Sequence, residues 1–449
     1  MPRWDPERRG MKSAGEAGGH GHEPVPSPAF GARAAQGEVS EAFASTRLAN
    51  GIEVLSEHIE GVRSAAVGVW VRQGSAHEDR DHAGVSHLLE HLVFKGTRRR
   101  SARDIALALE GLGGSLDAYT SREHTGFQAR VLDEHLPIAL DVLADLTLEP
   151  ALRDDDLDLE REVVLEEIAQ MEDTPDDVVF ELHGERMWRG HPYGRSILGS
   201  RESVAAMTAS RVRALHRDRY RGVNLIVAAA GNVRHEAFAG QVDALFGQIP
   251  MGEAPPDVGA PQGVETGQVR TARDSSQVHV VFGAMVPGHA DPRRYAFVLL
   301  SSALGGGMSS RLFQKVREEL GLCYSVYTFQ SFYSQAGVMG VYVGTRPGWV
   351  DRAVDAIRME LDDVATRGLP PEELEQTKRQ VKGQIMLSLE STGSRLHRLA
   401  SFALHDEPFL GLDGLLERID AVTPEELAAA AALLHPDRHL VLSLGPSTE

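Results

Sequence analysis

The sequence predicts an α+β fold made of two similar halves. Strand and helix patterns come in mixed blocks rather than in strict alternation, which fits an α+β fold better than a doubly wound sheet. The order of these elements restarts after a stretch rich in Gly and Pro, and short motifs recur at a nearly constant spacing. With 449 residues, of which 42% are hydrophobic and 25% charged, the chain can bury more than one core.

The first half is predicted to begin with a hairpin. Two strands over residues 46–59 flank an Asn50-Gly51 turn, a dipeptide that favours tight hairpin turns. Hydrophobic periodicity then predicts, in chain order, a strand at 65–71, helices at 85–94 and 102–112, strands at 115–120 and 125–132, several helices to about 219, a buried strand at 222–230 and a helix at 236–246. This half is assigned to residues 45–250. Residues 1–44 have few large apolar side chains and are predicted to be a disordered tail.

The second half is predicted to follow a linker. Residues 251–270 are rich in Pro and Gly, which is typical of linkers, and the second half is assigned to residues 271–449. Its predicted elements are a strand at 278–282, helices at 294–304 and 311–319, strands at 324–329 and 337–343, and then helices. The Ala-Tyr-Thr motif at 118–120 returns as Val-Tyr-Thr at 326–328, which indicates an internal duplication.

Charge and composition exclude several classes of function. The formal charge of −19 would repel nucleic-acid phosphates and could attract basic substrates. Because of this charge, nucleic acid is not expected as a partner. No run of about 18 apolar residues is present, so a membrane is not expected as a partner either. The single cysteine, Cys323, excludes an intrachain disulfide and indicates a reducing compartment. The tail has neither the basic excess of a mitochondrial leader nor the apolar core of a secretory signal, so the cytoplasm is predicted over the mitochondrial matrix.

The strongest functional motif is His-Leu-Leu-Glu-His at residues 87–91. On a helix, His87, Glu90 and His91 share one narrow face, and the leucines lie on the opposite face. Zinc binds imidazole nitrogen, and histidines four residues apart on a helix can reach one ion. Glu90 beside them can accept a proton from a water molecule at that ion. The alternative is a solvated helix face that carries two surface histidines.

A catalytic zinc usually has three protein ligands, so a third ligand is expected elsewhere in the chain. The strongly charged stretch at 155–172 is predicted to be a helix, and it offers several acids. Glu160 and Glu167 are two turns apart and therefore share a face. Spacing alone does not choose among four candidates, which are Glu160, Glu162, Glu166 and Glu167.

Three motifs together carry a resemblance to a known family. They are HLLEHLVFKGT at 87–97, GGSLDAYTSREHT at 113–125 and EREVVLEEI at 160–168. The sequence resembles the inverzincin, or pitrilysin-type, zinc peptidases. Within them it resembles the short branch that contains the mitochondrial processing peptidase β subunit and its bacterial relatives. The resemblance runs in order from about residue 46 to the C-terminus.

The resemblance implies one zinc ion per chain, bound by His87, His91 and Glu167. It also implies that Glu90 is the general base and that Glu160 is a supporting carboxylate that orients a ligand or the water. In the repeat, these positions correspond to Val298, Ser301, Ser302, Thr377 and Gln384. The second half is therefore expected to bind no metal.

The resemblance gives the second half a different role. Arg317 and Tyr324 stand at the spacing of a pair that family members offer to the substrate and to the developing oxyanion. Without the resemblance, Arg317 would be interpreted as a helix-surface residue and Tyr324 as a strand residue. The two halves are expected to form a clam-shell around a substrate chamber.

The strand near the metal is expected to bind substrate. An extended peptide would pair with the backbone at Asp117 and Ala118. Family members usually have Asn at the position of Asp117, and a carboxylate lacks the amide donors that could hold a peptide carbonyl. We expect this difference to favour basic substrates or to alter the pH dependence of activity.

The predicted function is a zinc metalloendopeptidase that cleaves unfolded, basic peptides or leader segments. A homodimer is expected, because the chain carries its own Arg317 and Tyr324. Two alternatives remain open. The first is a noncatalytic scaffold subunit of the core type found in respiratory complexes, and the second is a catalytic subunit that needs a separate partner.

Overall fold

The computed structural model describes residues 42–446, which belong to one compact unit. Most of the predicted disordered tail lies outside these residues. Positions 42–44, which were assigned to the tail, are instead part of the first strand. Among the described residues, no helix is both long enough and apolar enough to cross a membrane.

The described chain contains eleven β-strands and fourteen α-helices. The strands are β1 (Ala42–Arg47), β2 (Glu53–His58), β3 (Ser64–Val71), β4 (Ser115–Thr120), β5 (Thr125–Leu132), β6 (Leu225–Gly231), β7 (Gly267–Ala272), β8 (Val278–Val286), β9 (Cys323–Phe332), β10 (Gly337–Thr345) and β11 (His439–Gly445). The helices are α1 (Val85–Val93), α2 (Ala102–Glu110), α3 (Leu136–Leu148), α4 (Asp154–Glu172), α5 (Pro175–Met187), α6 (Arg201–Ala205), α7 (Ala209–Arg219), α8 (His235–Phe246), α9 (Arg294–Gly305), α10 (Val350–Arg367), α11 (Pro371–Ser388), α12 (Thr392–Leu404), α13 (Leu412–Asp420) and α14 (Pro424–Ala431).

The strands form two sheets with the same internal order. The first sheet runs β1-β2-β6-β3-β5-β4, and the second runs β7-β11-β8-β10-β9. Only β2–β6 in the first sheet and β7–β11 in the second are parallel pairs; the other pairs among the described strands are antiparallel. Leaving β1 aside, each strand of one sheet has a counterpart at the same place in the other. The predicted α+β fold of two similar halves is therefore confirmed.

Each sheet packs one face against helices that are close to it in sequence. In the first half, α1, α3 and α8 contribute buried side chains to a core with β3 and β5. In the second half, α9, α10 and α14 do the same with β8 and β10. Along each strand, successive side chains point alternately to this helix-covered face and to the opposite face of the sheet.

The opposite face of each sheet is covered by a helix from the other half. Helix α5 packs Val179 against Val281 of β8 and Leu442 of β11. Helix α12 packs Leu399 in one apolar cluster with Trp70 of β3. Since α5 follows α4 and α12 follows α11 at corresponding places in the repeat, the two halves exchange equivalent helices.

A buried ion pair reinforces one of these contacts. Glu57 of β2 is 0% exposed, and its Oε1 contacts the guanidinium groups of Arg395 and Arg398 on α12. Charges removed from water are stable only when paired, so α12 is tied to the first sheet by charge as well as by apolar contact.

Several predicted boundaries differ from the structure. Strand β7 begins at Gly267, inside the predicted linker. The sequence does not predict this strand, because its residues are polar and partly exposed at a sheet edge and give little hydrophobic signal. Strand β11 was interpreted as part of a helical region, since a short apolar run does not distinguish a buried strand from a helix. The helix predicted at 311–319 is largely a π-helical segment, Phe313–Glu319. Strands β4 and β5 have the predicted bounds.

Candidate metal centre

The N-terminus of α1, the helix that carries the histidine motif, is stabilised by the side chain of Glu78. Glu78 accepts hydrogen bonds from the backbone N–H groups of Gly84 and Ser86, both at 2.7 Å, and so satisfies donors that the first turn of α1 leaves unpaired. Gly84 has φ of +93°, and a Cβ there would lie 2.5 Å from the Leu198 carbonyl oxygen. Only glycine fits this position.

The apolar face of α1 fixes which residues face the other way. Val85, Leu88, Leu89, Leu92 and Val93 are at most 1% exposed and belong to the core of the first half. The face that carries the polar motif is therefore turned toward α4 and β4, which pack against α1. This is the arrangement that the helical periodicity predicted.

Three predicted ligands converge on one point. Glu167 Oε2 lies 3.7 Å from His87 Nε2 and 3.6 Å from His91 Nε2. The ligand atoms of these three residues all lie within 4.8 Å of one another, and no other group of His, Cys, Asp or Glu among residues 42–446 does so. Ligands at about 2.0–2.2 Å from a tetrahedral zinc stand at similar mutual distances, so this donor set fits zinc.

The long helix α4 separates the acids that spacing left open. Glu160 and Glu167 face α1, whereas Glu162 and Glu166 are exposed to solvent. Glu160 is 4% exposed, and its Oε2 lies 3.1 Å from His91 Nδ1. A carboxylate at Nδ1 holds the proton on that nitrogen, which leaves the Nε2 lone pair for a metal.

Lys95 completes this arrangement one turn after His91. Its Nζ lies 2.5 Å from Glu160 Oε1, so Glu160 contacts a cation on one oxygen and an imidazole on the other. Burial opposes the charged form of Glu160, but the hydrogen bonds from His91 and Lys95 outweigh burial and lower its pKa. The carboxylate is therefore held ionised beside His91.

Glu90 is held by a hydroxyl group from the neighbouring strand. Thr120 Oγ1 of β4 donates to Glu90 Oε2 at 2.6 Å. Burial raises the pKa of Glu90 above its ordinary value, and the Thr120 bond only partly opposes this effect. A carboxylate with a raised pKa, positioned beside the ligand set, suits a group that takes up and releases a proton.

The two histidines differ in their electrostatics. Burial lowers the pKa of His87 to about 3, with a further contribution from His91, so His87 is neutral and can offer a lone pair. At His91, burial also disfavours the charged form, but Glu160 and the other nearby carboxylates outweigh it and raise the pKa. Both effects follow from the same enclosed, acidic surroundings.

The edge strand β4 has two different faces. In the described chain β4 pairs only with β5, so its outer edge is open to an extended peptide. Ala118 packs against the core on the same side as Thr120. Asp117 is exposed and lines a pocket on the opposite face with Arg130 and His397. The Asp117 carboxylate therefore faces away from the ligand set, and its predicted effect on substrate preference stays a prediction.

Arg317 and Tyr324 lie together at the edge of the second sheet. The Arg317 guanidinium stands 4.8 Å from the centre of the Tyr324 ring and 4.6 Å from that of Phe313, and Tyr324 is 74% exposed. Arg317 Nε also lies 3.6 Å from Glu318 Oε1. The pair is thus assembled, but none of these contacts joins it to the metal ligands of the same chain.

Sequence reasoning gave no role to Thr120, Lys95 or Glu78. Thr120 was noted only as part of a strand motif, yet its alternation with Asp117 along β4 would have put it on the inner face. Lys95 follows His91 by four residues, but it lies in the turn after α1, where helical spacing gives no signal. Glu78 gave no usable signal, because its bonds to α1 span a loop.

Comparison with known proteins places these observations in a family. Residues 53–201 match the profile described as insulinase (peptidase family M16), and residues 206–381 match the profile described as peptidase M16 inactive domain. An uncharacterized zinc protease of Streptomyces coelicolor is 40% identical over 410 residues, which is 89% of each chain. An uncharacterized zinc protease of Bacillus subtilis is 36% identical, over 89% of this chain and 97% of its own.

Solved structures show the same fold. A peptidase M16 inactive domain from Pseudomonas fluorescens aligns with a TM-score of 0.84 at 22% identity, over 90% of this chain and 98% of its own. A protease from Helicobacter pylori aligns with a TM-score of 0.83 at 21% identity, over 90% of this chain and 100% of its own. At these identities the likeness concerns the fold alone.

Proposed function

The chain belongs to the insulinase family, peptidase family M16, and on this premise we propose that it is a zinc metalloendopeptidase of the processing-peptidase-like type. The proposed substrates are unfolded, basic peptides or leader segments. The relatives named zinc proteases support a metallopeptidase, while the type and the substrates are our proposal.

One observation carries the proposal. Two imidazole nitrogens and a carboxylate oxygen converge within 4.8 Å, and Glu90 stands beside them, held by Thr120. A structural role alone would not require a largely enclosed histidine pair, an ionised support and an additional partly buried carboxylate at one place. We propose one zinc ion per chain, bound by His87, His91 and Glu167.

The residues of the chain divide the work of peptide hydrolysis. When bound, zinc supplies Lewis-acid activation of water and of the scissile carbonyl. Glu90 takes a proton from the attacking water through Oε1, the oxygen that Thr120 does not contact, and delivers it to the leaving amine. Glu160 keeps the Nδ1 proton of His91 in place, so that His91 stays oriented through the reaction.

Substrate chemistry follows from the charge of the chain. A formal charge of −19 favours the approach of basic peptides and disfavours acidic ones. The open edge of β4, at Asp117 and Ala118, would align an extended chain by backbone hydrogen bonds. Most backbone groups of a folded protein are already hydrogen-bonded, so unfolded segments are the proposed substrates.

We also propose that the enzyme acts as a homodimer. Arg317, which is partly exposed, lies beside the exposed Tyr324, and the contacts of the pair described above do not include the metal ligands of its own chain. In a dimer, this pair of a second copy would orient the bound peptide and donate to the oxyanion. The chamber would then form between two copies. The lone Cys323 supports a reducing compartment, for which we propose the cytoplasm.

The test uses purified protein, a mixture of basic unstructured peptides and a measurement of bound zinc. Wild type should bind about one zinc per chain and cleave the peptides. Glu90→Gln should keep its zinc and lose about 10²–10⁴-fold in rate. Glu167→Gln should lose zinc, whereas Glu166→Gln, one residue away on the exposed face of α4, should change neither quantity.

The other outcomes separate the alternatives. Zinc binding without any cleavage would favour a scaffold role or a missing partner subunit, and adding candidate partner chains would distinguish these. A wild-type chain that binds no zinc would show that the assigned ligands are wrong.

A further inference from the structure

The second half contains a pocket at the place that corresponds to the metal centre. It has a volume of about 430 Å³ and lies between α9, β9 and α11. The metal centre lies between the counterpart elements α1, β4 and α4. A pocket of this size is large enough for a side chain with part of its backbone.

The residues that line this pocket include the counterparts of the metal site. Val298, Ser301, Ser302 and Gln384 correspond to His87, Glu90, His91 and Glu167, and all four line the pocket. Thr328, the counterpart of Thr120, lines it as well. The repeat has therefore kept the cleft while replacing every ligand by an uncharged residue.

Hydrogen bonds in the pocket repeat those of the metal centre. Ser301, which is 5% exposed, donates to Gln330 Oε1 at 2.5 Å and lies 3.0 Å from Thr328 Oγ1. In the first half the counterpart pair is also joined by a hydrogen bond, but there Thr120 donates to Glu90. These hydrogen bonds hold the side chains of Ser301 and Thr328 in place and fix the orientation of the Gln330 amide.

One polar atom of the pocket has no partner. Ser302 Oγ is buried and makes no hydrogen bond to any described residue. A buried hydroxyl without a partner is unfavourable, so a ligand group that forms a hydrogen bond with it gains affinity. Ser302 lines the pocket, and a rotation of its side chain would present the hydroxyl to an incoming ligand.

The lining also limits the chemistry of the ligand. Its residues carry no formal charge, so a charged side chain would lose its hydration without gaining a counter-charge. A purely apolar side chain would leave the hydroxyl and amide groups unpaired. Val298, Val381 and Ile385 supply apolar walls. The best match is an uncharged side chain with its own donors and acceptors.

The strand beside the pocket indicates a peptide. In the described chain β9 is the last strand of its sheet, as β4 is in the first, and it contributes Thr328 and Gln330 to the lining. An extended peptide that pairs with such an edge places every second side chain toward the pocket.

We propose that this pocket binds an Asn or Gln side chain of a peptide substrate, as a second subsite away from the scissile bond. The proposal rests on the proposed peptidase function for the identity of the peptide, but not for the binding itself. The substrate would then need an Asn or Gln residue at a fixed distance from the cleaved bond, in addition to basic residues.

Binding is measured on the zinc-loaded Glu90→Gln protein, so that cleavage does not interfere. The probes are fluorescent basic peptides in which one residue, moved stepwise along the chain, is Asn, Asp, Lys or Leu. At one position we expect Asn to bind about 10-fold more tightly than the other three. Ser302→Ala should remove about 3- to 10-fold of this preference and leave the Leu peptide unaffected.

A matched control is Ser443→Ala. Ser443 is also buried in the second half, and its Oγ also lacks a partner among the described residues, but it does not line the pocket. This variant should not change binding. Val298→Phe, which fills the pocket, should abolish the Asn preference. This variant tests the proposal if the effect of Ser302→Ala on binding is too small to detect.

Two results would overturn the proposal: no position that prefers Asn, or an Asn preference that Ser302→Ala and Val298→Phe leave intact. Cleavage by wild type together with either result would leave the peptidase function standing without the subsite. Asn-dependent binding that requires Ser302, in a protein that cleaves nothing, would support the subsite and contradict the peptidase function.

Discussion

At the scale of single residues, the candidate metal centre depends on side chains that are not among the three metal ligands. Glu160 fixes the tautomer of His91, Lys95 keeps Glu160 charged, and Thr120 holds Glu90. Each contact is a hydrogen bond or ion pair within a mostly buried setting, where water does not compete for it. The ligands are thus oriented before any ion binds.

Glu160→Gln tests this support directly. The carboxamide keeps the shape of the side chain but carries no charge, so it stabilises the Nδ1 proton of His91 less and forms no ion pair with Lys95. We expect the zinc dissociation constant to rise about 10- to 100-fold, measured by competition with a chelator. Glu162→Gln, on the exposed face of the same helix, should leave zinc affinity unchanged. Equal zinc affinities in the Glu160→Gln and Glu162→Gln variants would contradict the supporting role of Glu160.

At the scale of elements, α1 determines whether the site forms at all. Its first turn is held by Glu78 through Gly84 and Ser86, and its apolar face is sealed in the core. The histidines lie within two turns of this N-terminus. A loss of the Glu78 contacts would therefore fray the part of the helix that carries His87.

The same residue predicts a pH dependence of stability. Burial raises the pKa of Glu78 to about 7, while the hydrogen bonds from Ser86 and Gly84 and the charge of Arg195 oppose the shift. The unfolded state releases this proton near the ordinary pKa of 4.5, and the folded state does so only near 7. The contribution of Glu78 to stability is therefore present below pH 4.5 and is lost as the pH rises toward 7.

Glu78→Gln should remove this dependence. The free energy of unfolding of wild type should fall by about 3 kcal/mol from this group between pH 4.5 and 7.5, and that of the variant should change less. Urea unfolding at several pH values measures the difference. Glu162→Gln, at an exposed position, should follow the wild-type curve. Parallel curves for wild type and Glu78→Gln would contradict the assignment.

At the scale of the whole molecule, the exchanged helices α5 and α12 hold the halves together. Opening one half away from the other would expose the apolar clusters under both helices and would separate Glu57 from Arg395 and Arg398. The cost of exposing these surfaces opposes a clam-like motion within one chain. This cost is consistent with the proposal that the chamber forms between two copies.

Glu57→Gln should reveal how strongly the halves are joined. The change removes a buried negative charge that contacts two arginines on α12, and we expect a loss of about 3–5 kcal/mol in the free energy of unfolding. Glu53→Gln on the same strand breaks only the partly exposed pair with Arg47 and should cost less than about 1 kcal/mol. Similar losses in the two variants, measured by urea unfolding, would show that the buried pair is not a principal contact.

The proposed dimer predicts complementation between two inactive variants. Glu90→Gln keeps Arg317 and Tyr324, whereas Arg317→Ala/Tyr324→Phe keeps the zinc-binding half. If the pair acts on the site of the other copy, each mixed dimer has one complete site, and equal mixing should restore about a quarter of wild-type activity. A mixture as inactive as its components, with mixed dimers present by native mass spectrometry, would contradict a site shared between copies.

Much of the fold was accessible from the sequence because local patterns carried it. The hairpin turn, the bounds of β4 and β5 and the opposed faces of α1 follow from turn chemistry and from periods of two and 3.6 residues. Strands β7 and β11 were missed. The first is too polar and the second too short to give a pattern that differs from a linker or a helix.

The sequence by itself predicted the chemistry of this protein: which residues are candidates to bind a metal, which half retains them, and that the two halves repeat. Spacing left four acids of α4 open, and the family resemblance favoured Glu167. Only the tertiary structure showed that the Glu167 carboxylate lies beside the histidines, that Asp117 faces away, and that each half covers the sheet of the other. These are relations between residues far apart in the chain. They depend on how elements pack, and local periodicity does not contain that information.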